Sequence, residues 1–213
     1  MYLTCMKMFL DHNDHAKYLS DRVEENPTHV FIASYGLYAG ISYAGQDTTK
    51  WGKKFQLATR DLMEAMRKLP DVRFLIGASN YKSCKGKLTC IDCEKQYCRS
   101  LIRLVHHAEL FPEFKWRVTT NLHLKACIFF YGQQVKGIGG GRNFSDSDWI
   151  DCTFELSTTH IKQLYAHAKG VWDDSKVLND NTIAGIFEEQ EISERGFKAT
   201  VSGIDEETKD APF

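Results

Sequence analysis

Three short apolar runs, set apart by helical patterns, constrain the fold of this chain more than any other feature. They are HVFIAS (His29 to Ser34), VRFLIGA (Val72 to Ala78) and LHLKACIFFY (Leu122 to Tyr131). Each has strand length and is bounded by turn residues. Asn13 to Asn26 reads as a helix with Asn13 as N-cap and Pro27 as its stop. Phe55 to Leu69 brings Leu57, Leu62, Met63, Met66 and Leu69 near one helical face. Helix is expected again around Cys98 to Leu110 and over His160 to Trp172, the latter capped by Ser157, Thr158 or Thr159. Further strands are expected at Phe114 to Thr119, Val135 to Ile138 and Thr153 to Leu156, with Gly132 to Gln134 turning a hairpin. Strands alternating with helices predict an α/β sandwich, a central mixed sheet flanked by helices.

The chain has 213 residues, 43% of them apolar, which is enough for one domain and its core. No run approaches the ~20 apolar residues that cross a bilayer, and Met1 to His12 is too short and mixed for a signal peptide. The expectation is a soluble cytoplasmic protein without a membrane partner. The net charge of −1 conceals an asymmetry. Asp173 to Phe213 carries 11 acids and four bases, a formal −7, which leaves +6 on residues 1–172. We therefore divide the chain into a body, 1–176, and an acidic tail, 177–213. A basic body suits a polyanion such as nucleic acid, although a solvated surface of ordinary composition would look the same.

His123 and Lys125 are one residue apart in LHLKACIFFY, so a strand there puts both on one face, with Leu124, Ala126, Ile128 and Phe130 on the other. Together they make poor core material, and an anion between them would reconcile them: a neutral imidazole can act as a nucleophile and an ammonium can stabilise charge on phosphoryl oxygens. The loop Gly139-Gly140-Gly141-Arg142-Asn143 follows. Its glycines allow close backbone approach to a phosphate, and Asn143 adds an amide donor. Glu155 lies on the next strand, where a carboxylate could orient an imidazole. Tyr35, Tyr38 and Tyr43 sit in a Gly-rich loop, where they could stack on bases or simply pack the loop.

His-x-Lys, then Gly-Gly-x-Asn, then an acid a dozen residues on resembles the phospholipase D superfamily. The resemblance is nearest to the nuclease branch with one motif per chain, which includes bacterial Nuc, phospholipase D-type restriction endonucleases and Zucchini. It covers Leu122 to Trp172 specifically. It implies a phospholipase D-like sandwich and a phosphodiesterase working through a phosphohistidine. His123 would be the nucleophile, Lys125 and Asn143 would bind phosphate, and Glu155 would orient the histidine. Gly140, Gly141 and Arg142 would line the substrate. One motif per chain implies a homodimer with a composite site. This sequence departs from the family twice: Phe130 stands where the family has Asp, and Gly141 where it has Ser.

There are seven cysteines, and four of them fall within 15 residues: Cys84, Cys90, Cys93 and Cys98. An odd total argues against a disulfide framework. Four thiolates this close, among Lys, Asp, Glu and Gln, predict a closed structural Zn²⁺ site in an insert at 82–99. Reduced, non-ligating cysteines or a redox pair at Cys90 and Cys93 are the plainer readings. By resemblance, Zucchini-type proteins also carry a zinc module ahead of the His-x-Lys motif. Lys82, Lys85, Lys87, Lys95, Arg99 and Arg103 would then flank the groove and meet backbone phosphates. The expected function is a metal-independent nuclease acting on DNA or RNA. A catalytically silent nucleic-acid-binding module and a lipid phosphodiesterase or phosphatidyltransferase are the alternatives.

Overall fold

A computed structural model of the chain describes residues 7–38, 58–77, 104–105, 107–120, 122–145 and 151–179. In chain order the elements are β1 (Met8–Phe9), α1 (His12–Glu24), β2 (His29–Ser34), β3 (Leu37–Tyr38), α2 (Thr59–Met66), β4 (Val72–Gly77) and β5 (Lys115–Thr119). There follow β6 (Ala126–Tyr131), β7 (Gln134–Gly140), β8 (Phe144–Ser145), β9 (Thr153–Glu155), α3 (Thr158–Asp174) and β10 (Lys176–Val177). Residues 104–105 and 107–110 are also helical. Among the described residues, eight strands form one mixed sheet in the order β1-β9-β7-β6-β2-β4-β5-β10. β2, β4 and β5 run parallel. On the other side of β2, each of β6, β7, β9 and β1 is antiparallel to its neighbour.

The sheet is covered on both faces, so its central strands are apolar on both. Val30, Ile32, Phe74, Ile76, Cys127 and Phe129 face α1 and α2, meeting Leu19, Val23, Leu62, Met63 and Met66. Phe31, Ala33, Leu75 and Ile128 face α3, meeting Ile161, Ala168 and Trp172. This is the expected α/β arrangement. The helix ends show local chemistry. α1 is capped by Asp11, whose carboxylate accepts from Asp14 N–H at 2.9 Å, and not by Asn13. Asn26, in the left-handed region at φ 54°, closes it ahead of Pro27. Ser157 caps α3, accepting from His160 N–H.

Three differences from the sequence reading bear on the site. β6 begins at Ala126, so His123 and Lys125 stand just ahead of the strand and not on it. β7 runs on through Gly140, so the loop starts at Gly141. The folded body extends past residue 176: β10 pairs Val177 with Arg117, and Leu178 is buried. Cys127 and Cys152 both read as small core residues from the sequence; Cys127 is buried, whereas Cys152 is exposed. The insert at 82–99, with all four predicted zinc ligands, and residues 180–213 of the acidic tail lie outside the described residues. Among the described residues, no helix is long and apolar enough to cross a membrane.

Candidate active site

β2 sits where strand direction changes, parallel to β4 and antiparallel to β6. Three segments converge beyond its carboxyl end. A Cβ on Gly77, the last residue of β4, would lie 2.7 Å from the Leu122 carbonyl oxygen and 3.2 Å from that of Tyr35. Glycine is what lets the chain leading into β6 and the chain leaving β2 close over β4.

The residues leaving β2 are Ser34, Tyr35 and Gly36, and they gather the motif. Ser34 is fully buried. Its hydroxyl accepts from Phe144 N–H at 2.9 Å and donates to Gly36 O at 2.6 Å, with Asn143 Oδ1 at 3.3 Å as the other acceptor in reach. Gly36 N–H donates to the same Oδ1 at 3.1 Å. The short parallel pair β3 and β8, Leu37 beside Phe144, ties the two loops together. With Oδ1 held, Asn143 Nδ2 is left as a donor that no described residue engages.

Between Ser34 and Gly36, Tyr35 turns its ring to the other half of the motif. It packs edge-on against His123, centroids 4.7 Å apart, and the Lys125 ammonium lies 4.9 Å from its centroid. Lys125 Nζ is 3.0 Å from His123 Nε2, 3.2 Å from Nδ1 and 3.1 Å from the His123 carbonyl oxygen. His123 is exposed, whereas Lys125 is only 7% exposed. Burial holds the Lys125 pKa below the usual lysine range, with the Asp151 carboxylate acting in the opposite direction. The site therefore offers an open imidazole, a buried ammonium behind it and a fixed amide nearby.

Strand register separates the two nearby acids. Gly140 N–H donates to Lys125 O, and Gly140 pairs with Thr153, so these three lie abreast. Glu155 lies abreast of Ile138 and Cys127, roughly 7 Å further along the sheet and about 10 Å across it by ordinary strand spacings. It accepts from the Tyr18 phenol at 3.4 Å, and burial, then this carboxylate, push the Tyr18 pKa up. Among the described residues, no contact joins Glu155 to His123. Asp151 lies at the His123 end of β9, and a Cβ on Gly141 would collide with its carboxylate. A Cβ on Gly140 would collide with the Cys152 carbonyl, so both glycines are there for close approach.

Arg142 turns inward. It is 5% exposed, and its Nη2 donates to Leu10 O at 3.3 Å. Arg142, His15 and Lys125 line a small cavity together with Thr153, whose buried Oγ1 has no hydrogen-bond partner among the described residues. Burial, then Arg142 and His12, hold the His15 pKa at about 3, so its ring is neutral there. Phe130 lies at the far end of β6, its ring against His29 and Tyr165 at 4.9 and 4.7 Å.

Ser34, Gly36 and Tyr35 carry the assembly, and of these the sequence singled out only Tyr35, as a base-stacking candidate. The available signal was a polar residue and a glycine directly after a fully apolar strand. Cys84, Cys90, Cys93, Cys98 and the six basic residues from Lys82 to Arg103 lie outside the described residues. Among the described residues, no cluster of His, Cys, Asp and Glu could hold a metal ion.

No protein-family model and no curated protein sequence matches the chain. Solved structures with a partial likeness include TrmBL2, an archaeal chromatin protein with a novel mode of DNA binding. That alignment has 8% identity and a TM-score of 0.43, and it covers 81% of this chain and 54% of TrmBL2, so the chain spans about half of that protein. Nuc from Salmonella typhimurium, a phospholipase D family member, aligns at 11% identity and a TM-score of 0.46, over 82% of this chain and 99% of Nuc. Polyphosphate kinase from Porphyromonas gingivalis aligns at 6% and 0.45, over 89% of this chain and 28% of the kinase. At these scores the likenesses decide nothing about function, which has to be read from the chain's own site.

Proposed function

We propose that this chain is a phosphodiesterase of the phospholipase D type, acting on nucleic acid. The observation that carries the reading is the gathering of His123, Lys125 and Asn143 by one tripeptide, Ser34-Tyr35-Gly36. Its outer members fix the Asn143 amide and its middle member packs on His123 and Lys125. A structural role would not call for an ammonium beside an exposed imidazole, because buried lysines are costly without a carboxylate partner.

In the proposed reaction a lone pair on a His123 ring nitrogen attacks phosphorus. The bond from phosphorus to the leaving oxygen breaks, and that oxygen takes a proton. Lys125 and Asn143 donate to the non-bridging oxygens, whose charge grows in the transition state. Water then displaces the histidine and frees the phosphate monoester. A second copy of the chain would supply the imidazole that protonates the leaving oxygen and later activates water. No step assigned to these residues uses a metal ion. The zinc proposed on Cys84, Cys90, Cys93 and Cys98 is structural, and elemental analysis of protein purified without chelator tests it.

The +6 charge on residues 1–172 supports nucleic acid as the substrate class. The test is hydrolysis of bis(p-nitrophenyl) phosphate and of single- and double-stranded DNA and RNA in EDTA. Wild type should turn over, and His123→Ala should lose activity by about 10⁴-fold or more with unchanged circular dichroism. Binding of nucleic acid without turnover would favour a silent module. That reading has its own support in the Glu155 carboxylate, which is engaged by Tyr18 and not by His123.

A further inference from the structure

We infer that Asp151, and not Glu155, is the carboxylate that serves this site, as a positioning residue for the Lys125 ammonium, and that the missing side chain of Gly141 is what makes room for it. This deepens the phosphodiesterase reading and takes its meaning from it.

Three observations converge. By register, Asp151 and Glu155 flank Thr153 of the Lys125–Gly140–Thr153 row, Asp151 toward the His123 end and Glu155 away from it. The Asp151 carboxylate occupies the place where a Gly141 side chain would begin. The Gly141 backbone does not itself require glycine, because Gly132 is the one described glycine with positive φ. The residue at 141 is therefore dictated by its neighbour, the carboxylate, and the Ser that the resemblance predicts there could not coexist with Asp151 in this position.

The electrostatics agree. Among the described residues, the groups that face Lys125 are His123 from its own segment, Tyr35 from the end of β2, His15 from α1, Arg142 from the end of β7 and Asp151 from the start of β9. Asp151 is the one anion among them, and it acts on both buried cations, Lys125 and Arg142. Tyr18 and its phenol hold Glu155 elsewhere. Asp151 thus keeps the ammonium charged and stationed behind the imidazole, ready to donate to a phosphoryl oxygen.

Two single variants reach the carboxylate by separate routes. Asp151→Asn removes the charge in place. Gly141→Ala inserts a methyl that evicts the carboxylate, a movement open to a side-chain end. The measurement is the titration of Lys125 by NMR of ¹³Cε-lysine-labelled protein, assigned with Lys125→Met. Lys125 should titrate at lower pH in Asp151→Asn and in Gly141→Ala than in wild type. The double variant should match Asp151→Asn, because the evicted charge is already gone. The alkaline limb of kcat/KM should move the same way. Glu155→Gln should leave the Lys125 titration where it is. A titration that neither single variant moves, or that Gly141→Ala moves further in the Asp151→Asn background, overturns the inference. If wild type shows no hydrolysis, the functional reading falls, but the Lys125 titration still decides where the carboxylate acts. Gly141→Ala keeps the test open should Asp151→Asn fail to fold.

Discussion

An ammonium pressed against an imidazole, a phenol ring and a carbonyl has lost most of its water, and no carboxylate among the described residues is within ion-pair distance of it. The Asp151 carboxylate acts on it only from beyond that distance, so the group still weakens the fold until a ligand supplies a closer anion. Lys125→Met, which keeps the length and removes the charge, should therefore raise the melting temperature while lowering turnover by about 10²–10³-fold, the scale for losing one charge-stabilising donor. Thermal melts and kcat on the same preparation check both halves. His15 gives a second prediction at this scale. Its pKa is about 3 when folded, held there first by burial, against an ordinary value of about 6.5 unfolded. The unfolded chain therefore binds the proton first. The stability from keeping this ring neutral is complete above pH ~6.5 and falls as pH drops toward 3, by about 1.4 kcal/mol per pH unit. Urea midpoints across that range should show the slope, and His15→Leu should flatten it. At this scale the sequence marked His123, Lys125 and Asn143, because their residue types are chemically odd for their positions. It could not choose between Asp151 and Glu155. Counting residues from Asn143 reaches either acid; the pairing of β7 with β9 shows which one lies toward the His123 end, and the closeness of the Asp151 carboxylate to Gly141 shows which one the loop makes room for.

Elements were legible where a period repeated. β2, β4 and α3 match the expected runs closely, since each has an apolar face or faces long enough to show a period. The two-residue strands β1, β3, β8 and β10 were not legible, because two residues cannot display alternation. The start of β6 was misread for a physical reason. LHLKACIFFY reads as one strand, alternating over Leu122 to Lys125 and apolar from Ala126 on, but Leu122 is drawn over Gly77, and the ladder with β2 begins only at Ala126. His123 is thereby freed from the sheet and exposed, which a nucleophile needs. Phe130 shows how an element can absorb a departure from the family pattern. Its ring belongs to a cluster with His29 and Tyr165 beneath α3. Phe130→Asp, which writes the family's residue back, should destabilise the fold by at least about 2 kcal/mol, through lost aromatic packing and a carboxylate placed among rings. Denaturant unfolding measures the loss, and kcat should not rise above wild type.

The whole molecule brings the motif to the switch point of a mixed sheet, with one imidazole where the proposed chemistry uses two. The alternation of strand and helix patterns foresaw the α/β class, but not the order of the eight described strands, which depends on contacts between residues far apart in sequence. A homodimer with a single shared site makes a quantitative prediction. When wild type and His123→Ala are mixed in equal amounts and allowed to exchange subunits, only wild-type pairs hold both imidazoles. Activity should fall to about one quarter of an all-wild-type sample, whereas independent sites would leave about one half. The nucleophile itself is tested most directly by quenching wild-type protein during turnover in EDTA and weighing the peptide that contains His123. That peptide should carry the mass of the substrate's phosphoryl group together with the ester substituent that remains on phosphorus, and the adduct should be absent from His123→Ala. Steady turnover with His123 unmodified, or undiminished turnover by His123→Ala, would remove this histidine from the chemistry.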